Sequence, residues 1–534
     1  MQGPGIGPAE GLDTGFTQVP PFAANWGAEA PAAVARRRLI DAIPASTGRK
    51  LIVVAVAIGG AFQLLFVDQG LGINALLWTT VLLGAAWVVR RREAPYSRAD
   101  AWLSPAALIA AGMVAIRADP ALVAFDVVAM LTLTAAAIAS FAGIPVTRRS
   151  VGGLLALAFR GGVVAASGAV GLGPGIRTVA RDTRRLPGSR LRRVAAGMLI
   201  ALPILAVFAV LFASADAVFG RALGDAFSWQ VNLGGLPVRV VVAGIAAWIG
   251  AGLLVLVVAA GPQMPADEPL APPRRLGGLE ACVALLAIDA LFAVFVALQA
   301  AYLFGGLDTL AAAGMTYSNY ARRGFFELVT VAALVGGLIC CLEAVVRERS
   351  RAYRAAGLLL VALTGLVLVS AAFRLGLYQQ AYGWTQLRFY VLCSITWLGL
   401  CLIAAAVTLA TDRSRWLPHA AVILGLCVAL GANLVGPQSF IAGQNVARAI
   451  DPSLVPAGGQ TGLDAQYLGS LGDGAVPVLV DALPKLNGPN RQTVAAALAE
   501  RRSGLQRLAA QQGWPSWNLA REDALTRLDG AQLP

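Results

Sequence analysis

From Leu51 onward the chain is a succession of apolar runs, each about 17–24 residues long and each closed by a short polar or basic connection. At 1.5 Å rise per residue, a helix of that length crosses about 30 Å of hydrocarbon. Eleven such runs are predicted to cross: 51–67, 71–89, 101–117, 121–141, 194–213, 238–260, 281–304, 324–346, 355–377, 389–410 and 417–435. Lipid offers the backbone no hydrogen-bond partner, so each run must be a helix that satisfies itself. The predicted fold class is all-α, a polytopic α-helical membrane protein with about eleven transmembrane helices filling 48–435.

Three stretches break this rhythm. Residues 1–47 are rich in Gly, Pro and Ala and have no apolar period, which predicts a disordered cytoplasmic tail rather than a signal peptide. Residues 150–176 are apolar but carry Arg160 and lie between arginine clusters. A crossing there would move one cluster across the membrane, so one interfacial or re-entrant helix on the cytoplasmic face is expected. After Val435 the chain turns mixed, and Asp464–Leu468, Ala475–Leu483 and Val494–Leu508 read as amphipathic helices. A small helical C-terminal appendage over 436–534 is expected on the extracytoplasmic side.

Composition strengthens the membrane assignment. Hydrophobic residues make up 57% and charged residues 13%, against roughly 45–50% and about 25% in soluble domains. Mean hydropathy is +0.70, too high for one core to hide in a chain of this length. The net charge of +13 is carried by arginine, since Lys50 and Lys485 are the only lysines. Basic residues at the ends of apolar runs are topology signals, so no nucleic-acid partner is expected. Arg36–Arg38, Arg90–Arg92, the cluster from Arg177 to Arg193, and Arg347–Arg354 all fall on one set of loops. That bias places the N-terminus in the cytoplasm and, after eleven crossings, the C-terminus outside.

Chemistry-bearing patterns are sparse. Cys282, Cys340, Cys341, Cys393, Cys401 and Cys427 sit inside apolar runs without a CxxC pair, and His419 is the lone histidine. These read as small buried side chains, so neither metal nor cofactor is expected. GxSxG, HExxH and a Walker lysine loop are missing from the sequence. Charges within spans are more informative, because each costs roughly 2.5–3.5 kcal/mol at mid-bilayer. Asp289 in the seventh run and Asp126 in the fourth are therefore candidates for proton or cation coupling, beside the plainer possibility of hydrogen bonds between helices. A second group gathers at the predicted outer ends: Asp216, Tyr317, Arg323, Glu327, Arg374, Tyr382 and Arg388. Glu327 and Arg374 each lie about one turn inside an apolar boundary, which invites an ion pair. The group suits either an aromatic belt with a packing salt bridge or a pocket in which arginines hold an anionic small molecule or lipid headgroup.

Three stretches in this region, YLFGG at 302–306, YSNYARRGFFEL at 317–328 and LY…YGWTQLR at 377–388, resemble a bacterial multipass family known as domain of unknown function 4173. The resemblance covers roughly 190–450. It departs after the last run, where Gly436-Pro437-Gln438 replaces an Asn-Pro-Asp. The resemblance implies an inner-membrane location and carries no activity or catalytic residues. Three functional classes stay open: a transporter-like or substrate-binding protein with an outward-facing polar site, a scaffold or signalling subunit, and an enzyme acting on a lipid-linked substrate. The bilayer is the one partner that composition requires.

Overall fold

The computed structural model describes residues 45–90, 97–147, 236–255, 277–304, 325–346, 349–413, 416–456 and 459–533, with a few isolated positions between them. Among the described residues the protein is helical, without a β-strand. Ten long helices come first: α1 (Ala45–Phe66), α2 (Ile73–Val89), α3 (Leu103–Ile116), α4 (Pro120–Phe141), α5 (Leu236–Val255), α6 (Gly278–Phe304), α7 (Phe325–Val345), α8 (Arg351–Tyr382), α9 (Gln386–Ala410) and α10 (Leu417–Val435). Five more follow: α11 (Pro437–Ile450), α12 (Ala465–Ser470), α13 (Val476–Ala482), α14 (Gly488–Gln511) and α15 (Leu519–Asp529).

Each of α1–α10 falls on one of the apolar runs. Six of the described helices are long and apolar enough to cross a membrane: Arg98–Ile116, which includes α3, together with α4, α6, α8, α9 and α10. Apolar segments of α1, α2, α5 and α7 are shorter. The run at 194–213 lies outside the described residues, as does the stretch at 150–176 apart from isolated positions such as Leu157, which joins the core of α2–α4. The helix exteriors are what a membrane demands: Leu64, Val88, Leu291 and Leu334 are 75%, 78%, 69% and 68% exposed. Many large apolar side chains in full contact with water would be untenable, whereas hydrocarbon solvates them.

Packing divides the helices into two groups. In the first, α1 and α5 cross closely because Gly59 and Gly250 carry no side chain. A Cβ on Gly59 would come within 2.4 Å of the Ala243 carbonyl oxygen, and one on Gly250 within 2.7 Å of Ile58. Small residues that let backbones approach are the usual basis of helix association in lipid. Leu103, Ala107, Ala111, Val114, Leu133 and Ala137 form the core between α3, α4 and α2. In the second group α6–α9 share a core around Leu285, Ala332, Leu360, Ala371 and Ile395. At one end of it Arg349 binds Glu343 Oε2 at 3.1 Å and Asp412 Oδ1 at 3.2 Å, while Tyr353 Oη donates to Glu343 Oε1 at 3.0 Å.

The C-terminal helices cover the other end of the bundle. Their core, with Ile441, Leu468, Leu479, Val494, Leu498 and Leu528, takes in Leu122 of α4, Phe389 of α9 and Ala432 of α10. Hydrogen bonds tie them to successive helix junctions. Ile73 N donates to the Trp517 carbonyl at 2.8 Å, and Asn518 Nδ2 donates to the carbonyls of Val114 and Arg117 at 3.0 and 2.9 Å. Asn445 clamps Trp384 from both sides, accepting from its N–H and donating to its carbonyl, each at 2.8 Å. Gly436, at φ 71°, makes the left-handed turn that ends α10 and starts α11.

Candidate functional site

The two helix groups meet where α4 faces α9 and α10, and the seam between them is polar. Its upper part is built by Asp119. Asp before Pro at a helix start is a strong N-cap signal, and Asp119 Oδ1 accepts from the N–H groups of Ala121 and Leu122 at 3.0 and 3.2 Å. The same carboxylate reaches across the seam. Tyr390 Oη donates to Oδ1 at 2.6 Å and Gln386 Nε2 to Oδ2 at 3.2 Å. Gln386 N in turn donates to Tyr467 Oη at 2.8 Å, linking α9 to α12. Asp119 is 2% exposed and needs this many donors to remain a buried carboxylate.

Two turns further along α4, about 10 Å deeper, Asp126 faces α10. Asn433 Nδ2 donates to Asp126 Oδ1 at 3.1 Å and to the Ala429 carbonyl at 3.1 Å. Both residues are almost fully buried. Among the described residues, Asp126 Oδ2 and Asn433 Oδ1 are buried acceptors without a hydrogen-bond donor. Each of these oxygens calls for a hydrogen-bond donor, a proton or a cation, because another acceptor cannot satisfy it. A cleft of about 20 Å³, lined by Arg117, Asp119, Gly436, Gln438 and Ser439 among others, lies at the top of the seam. It has room for about one water molecule.

The arginines near this end serve helix termini. Arg388 donates through Nη1 to the Tyr382 carbonyl at 3.2 Å and to the Gly383 carbonyl, and stacks over the Tyr378 ring at 4.0 Å. Arg448 donates to the carbonyls of Gln379, Gln380, Ala381 and Gln460. Both guanidinium groups therefore face the carbonyl end of α8, where the helix dipole favours cations. Burial pushes the Arg448 guanidinium below its ordinary range, and the Arg388 charge adds to that. Arg117 donates to the Leu434 carbonyl at the end of α10 at 3.2 Å. Burial raises the Tyr467 hydroxyl.

Of the residues singled out in the sequence, Tyr382 and Arg388 come together, with Arg374 two turns below Tyr382 on the same helix. Asp216, Tyr317, Arg323 and the Glu327 side chain lie outside the described residues, so the Glu327–Arg374 pair stays a proposal. Asp289 is buried on α6, with both carboxylate oxygens lacking a hydrogen-bond donor among the described residues. No cluster of three metal-ligating side chains occurs among the described residues. Sequence reasoning missed Asp119, Tyr390 and Asn433. The Asp-Pro step was a usable signal for the first. The other two look like ordinary polar residues in apolar helices until their partners, 271 and 307 positions away, are known.

A family model described as Domain of unknown function (DUF4153) matches residues 103–482. The match therefore goes to this family and not to domain 4173, although the three stretches that suggested the latter lie inside the matched segment. Tyr, Trp and Arg at span ends are selected by the headgroup interface in many multipass proteins, so such motifs discriminate poorly between families. No curated protein and no solved structure matches the chain.

Proposed function

We propose that this chain, which belongs to the DUF4153 family of unknown function, is a multipass, transporter-like or substrate-binding protein of the bacterial inner membrane that takes up a proton or small cation at Asp126 and Asn433. The observation that carries the reading is the pair of buried acceptor oxygens, Asp126 Oδ2 and Asn433 Oδ1, without donors among the described residues inside an apolar helix contact. Intramembrane carboxylates are costly and are retained chiefly where protons or ions move. The position supports the same reading. The pair bridges two separately packed helix groups, and transporters place coupling sites at such interfaces so that relative motion exposes the site to either side. In this reading the span count is eleven, and the end covered by the C-terminal helices is extracytoplasmic, following the arginine bias. Asp119, Tyr390 and Gln386 then form the outer part of the path.

A second reading is favoured by a different observation. The C-terminal helices are bonded to the junctions after α1, α3 and α8, and the nearby arginines are used on backbone carbonyls. That arrangement suits a rigid outer platform for assembly with other membrane proteins.

Labelling with a hydrophobic carbodiimide separates the two. The reagent reacts with protonated carboxyls in apolar surroundings to form a stable acylurea. Peptide mapping should find the adduct on Asp126, with protection by raised pH or by sodium. An unlabelled Asp126 under conditions that modify a known protonated intramembrane carboxyl would leave only the platform.

A further inference from the structure

The turn between α14 and α15 carries large apolar surface that the platform does not use. Trp514 is 70% exposed, and Trp517, Leu508, Leu519 and Leu71 around it are also exposed. Trp514, Trp517 and Leu508 line a groove of about 220 Å³ together with Leu505, Arg521 and Glu522 among others. This is below the ~300–1,000 Å³ of sites that enclose a whole small molecule, so it fits part of a longer one.

The level of the groove relative to the spans is set by hydrogen bonds. Gly513 N donates to Gln69 Oε1 at 2.8 Å, Ile73 N to the Trp517 carbonyl at 2.8 Å, and Arg521 Nη1 to the Leu71 carbonyl at 3.3 Å. All three acceptor–donor sets belong to the connection between α1 and α2, whose exteriors are apolar and exposed. The turn is thus held at the height where the apolar helices end, which is the headgroup layer of a surrounding bilayer. Trp is suited to that layer, since its ring is apolar and its indole N–H is polar.

We propose that this groove is a phospholipid site: an acyl chain lies against Trp514, Trp517 and Leu508, and the headgroup phosphate is held by Arg521. Arg521 lines the groove and spends Nη1 on the Leu71 carbonyl, and a guanidinium carries further N–H donors of the kind that bind phosphate oxygens. Glu522 beside it gives the rim a carboxylate as well as a cation. A headgroup with both phosphate and ammonium, as in an ethanolamine phospholipid, finds a partner for each charge. The proposal rests on the helices spanning a membrane and is independent of the proton or cation at Asp126.

The test uses the full chain in nanodiscs of phosphatidylethanolamine with brominated acyl chains. Comparing the parent with Trp514→Phe/Trp517→Phe isolates the fluorescence of the two rings. The bromines should quench that component strongly. Arg521→Gln should relieve the quenching several-fold, Arg521→Lys, which keeps a charge for the phosphate, should retain most of it, and phosphatidylglycerol should quench less than phosphatidylethanolamine. Quenching by aqueous iodide instead of brominated lipid would overturn the site, as would protection from both, which would mean that protein covers the groove. Equal lipid quenching in the parent and in Arg521→Gln would overturn the phosphate contact.

Discussion

Asp119 joins three duties in one carboxylate: it caps α4, receives the Tyr390 hydroxyl and receives the Gln386 amide. Replacing it with Ala should cost about 1–3 kcal/mol, since a cap is lost and buried donors are stranded. Tyr390→Phe should cost less, about 0.5–1.5 kcal/mol, and the double variant should lose less than the two single losses added together. Denaturation of the purified protein in matched detergent checks all three. Asp473 makes a prediction of different sign. Burial raises its carboxyl above the ordinary value despite the nearby Arg501 and Arg521. The folded state therefore holds that proton more tightly than the unfolded chain does. Its stabilising contribution is complete below the ordinary carboxylate range and is lost as pH rises through the raised value. Asp473→Asn should flatten that fall. Thermal melts of the two proteins that stay parallel across the weakly acid range would refute it. Asp126 was legible in the sequence because a charge within an apolar run is conspicuous by cost alone. Asn433 was not, because an amide gains meaning only from the partner opposite.

At the scale of elements, the run lengths already specified helices, because lipid leaves the backbone no other way to satisfy itself. Which helices touch was not legible. The α1–α5 contact depends on Gly59 and Gly250, two glycines among many, and only the close approach of the Ala243 carbonyl and Ile58 distinguishes them. Gly59→Leu should force the pair apart and destabilise by about 1–3 kcal/mol, whereas Gly60→Leu, where a Cβ meets open space, should be near neutral. Equal melting temperatures for the two variants would contradict the crossing. α7 and α8 are joined by a short connection, and the proposal sets Glu327 of the one against Arg374 of the other. Removing one member should then cost about 3–5 kcal/mol if the pair is buried, and replacing both with apolar residues much less. Equal losses from single and double replacements would argue against it.

Across the whole molecule, two helix groups are joined by a polar seam and covered at one end by the C-terminal helices α11–α15. Arginine bias assigns that covered end to the outside, so reporter fusions at Asp412 and after Leu533 should report opposite sides of the membrane. The same side for both would contradict the crossing of α10 and with it the count of eleven spans. If Asp126 carries a proton or meets a cation in the seam, infrared difference spectra of the reconstituted protein will show a protonated-carboxyl carbonyl band that is present in the parent, absent in Asp126→Asn, and lost when pH or sodium is raised. Identical difference spectra for the parent and Asp126→Asn at every pH and cation concentration would contradict it.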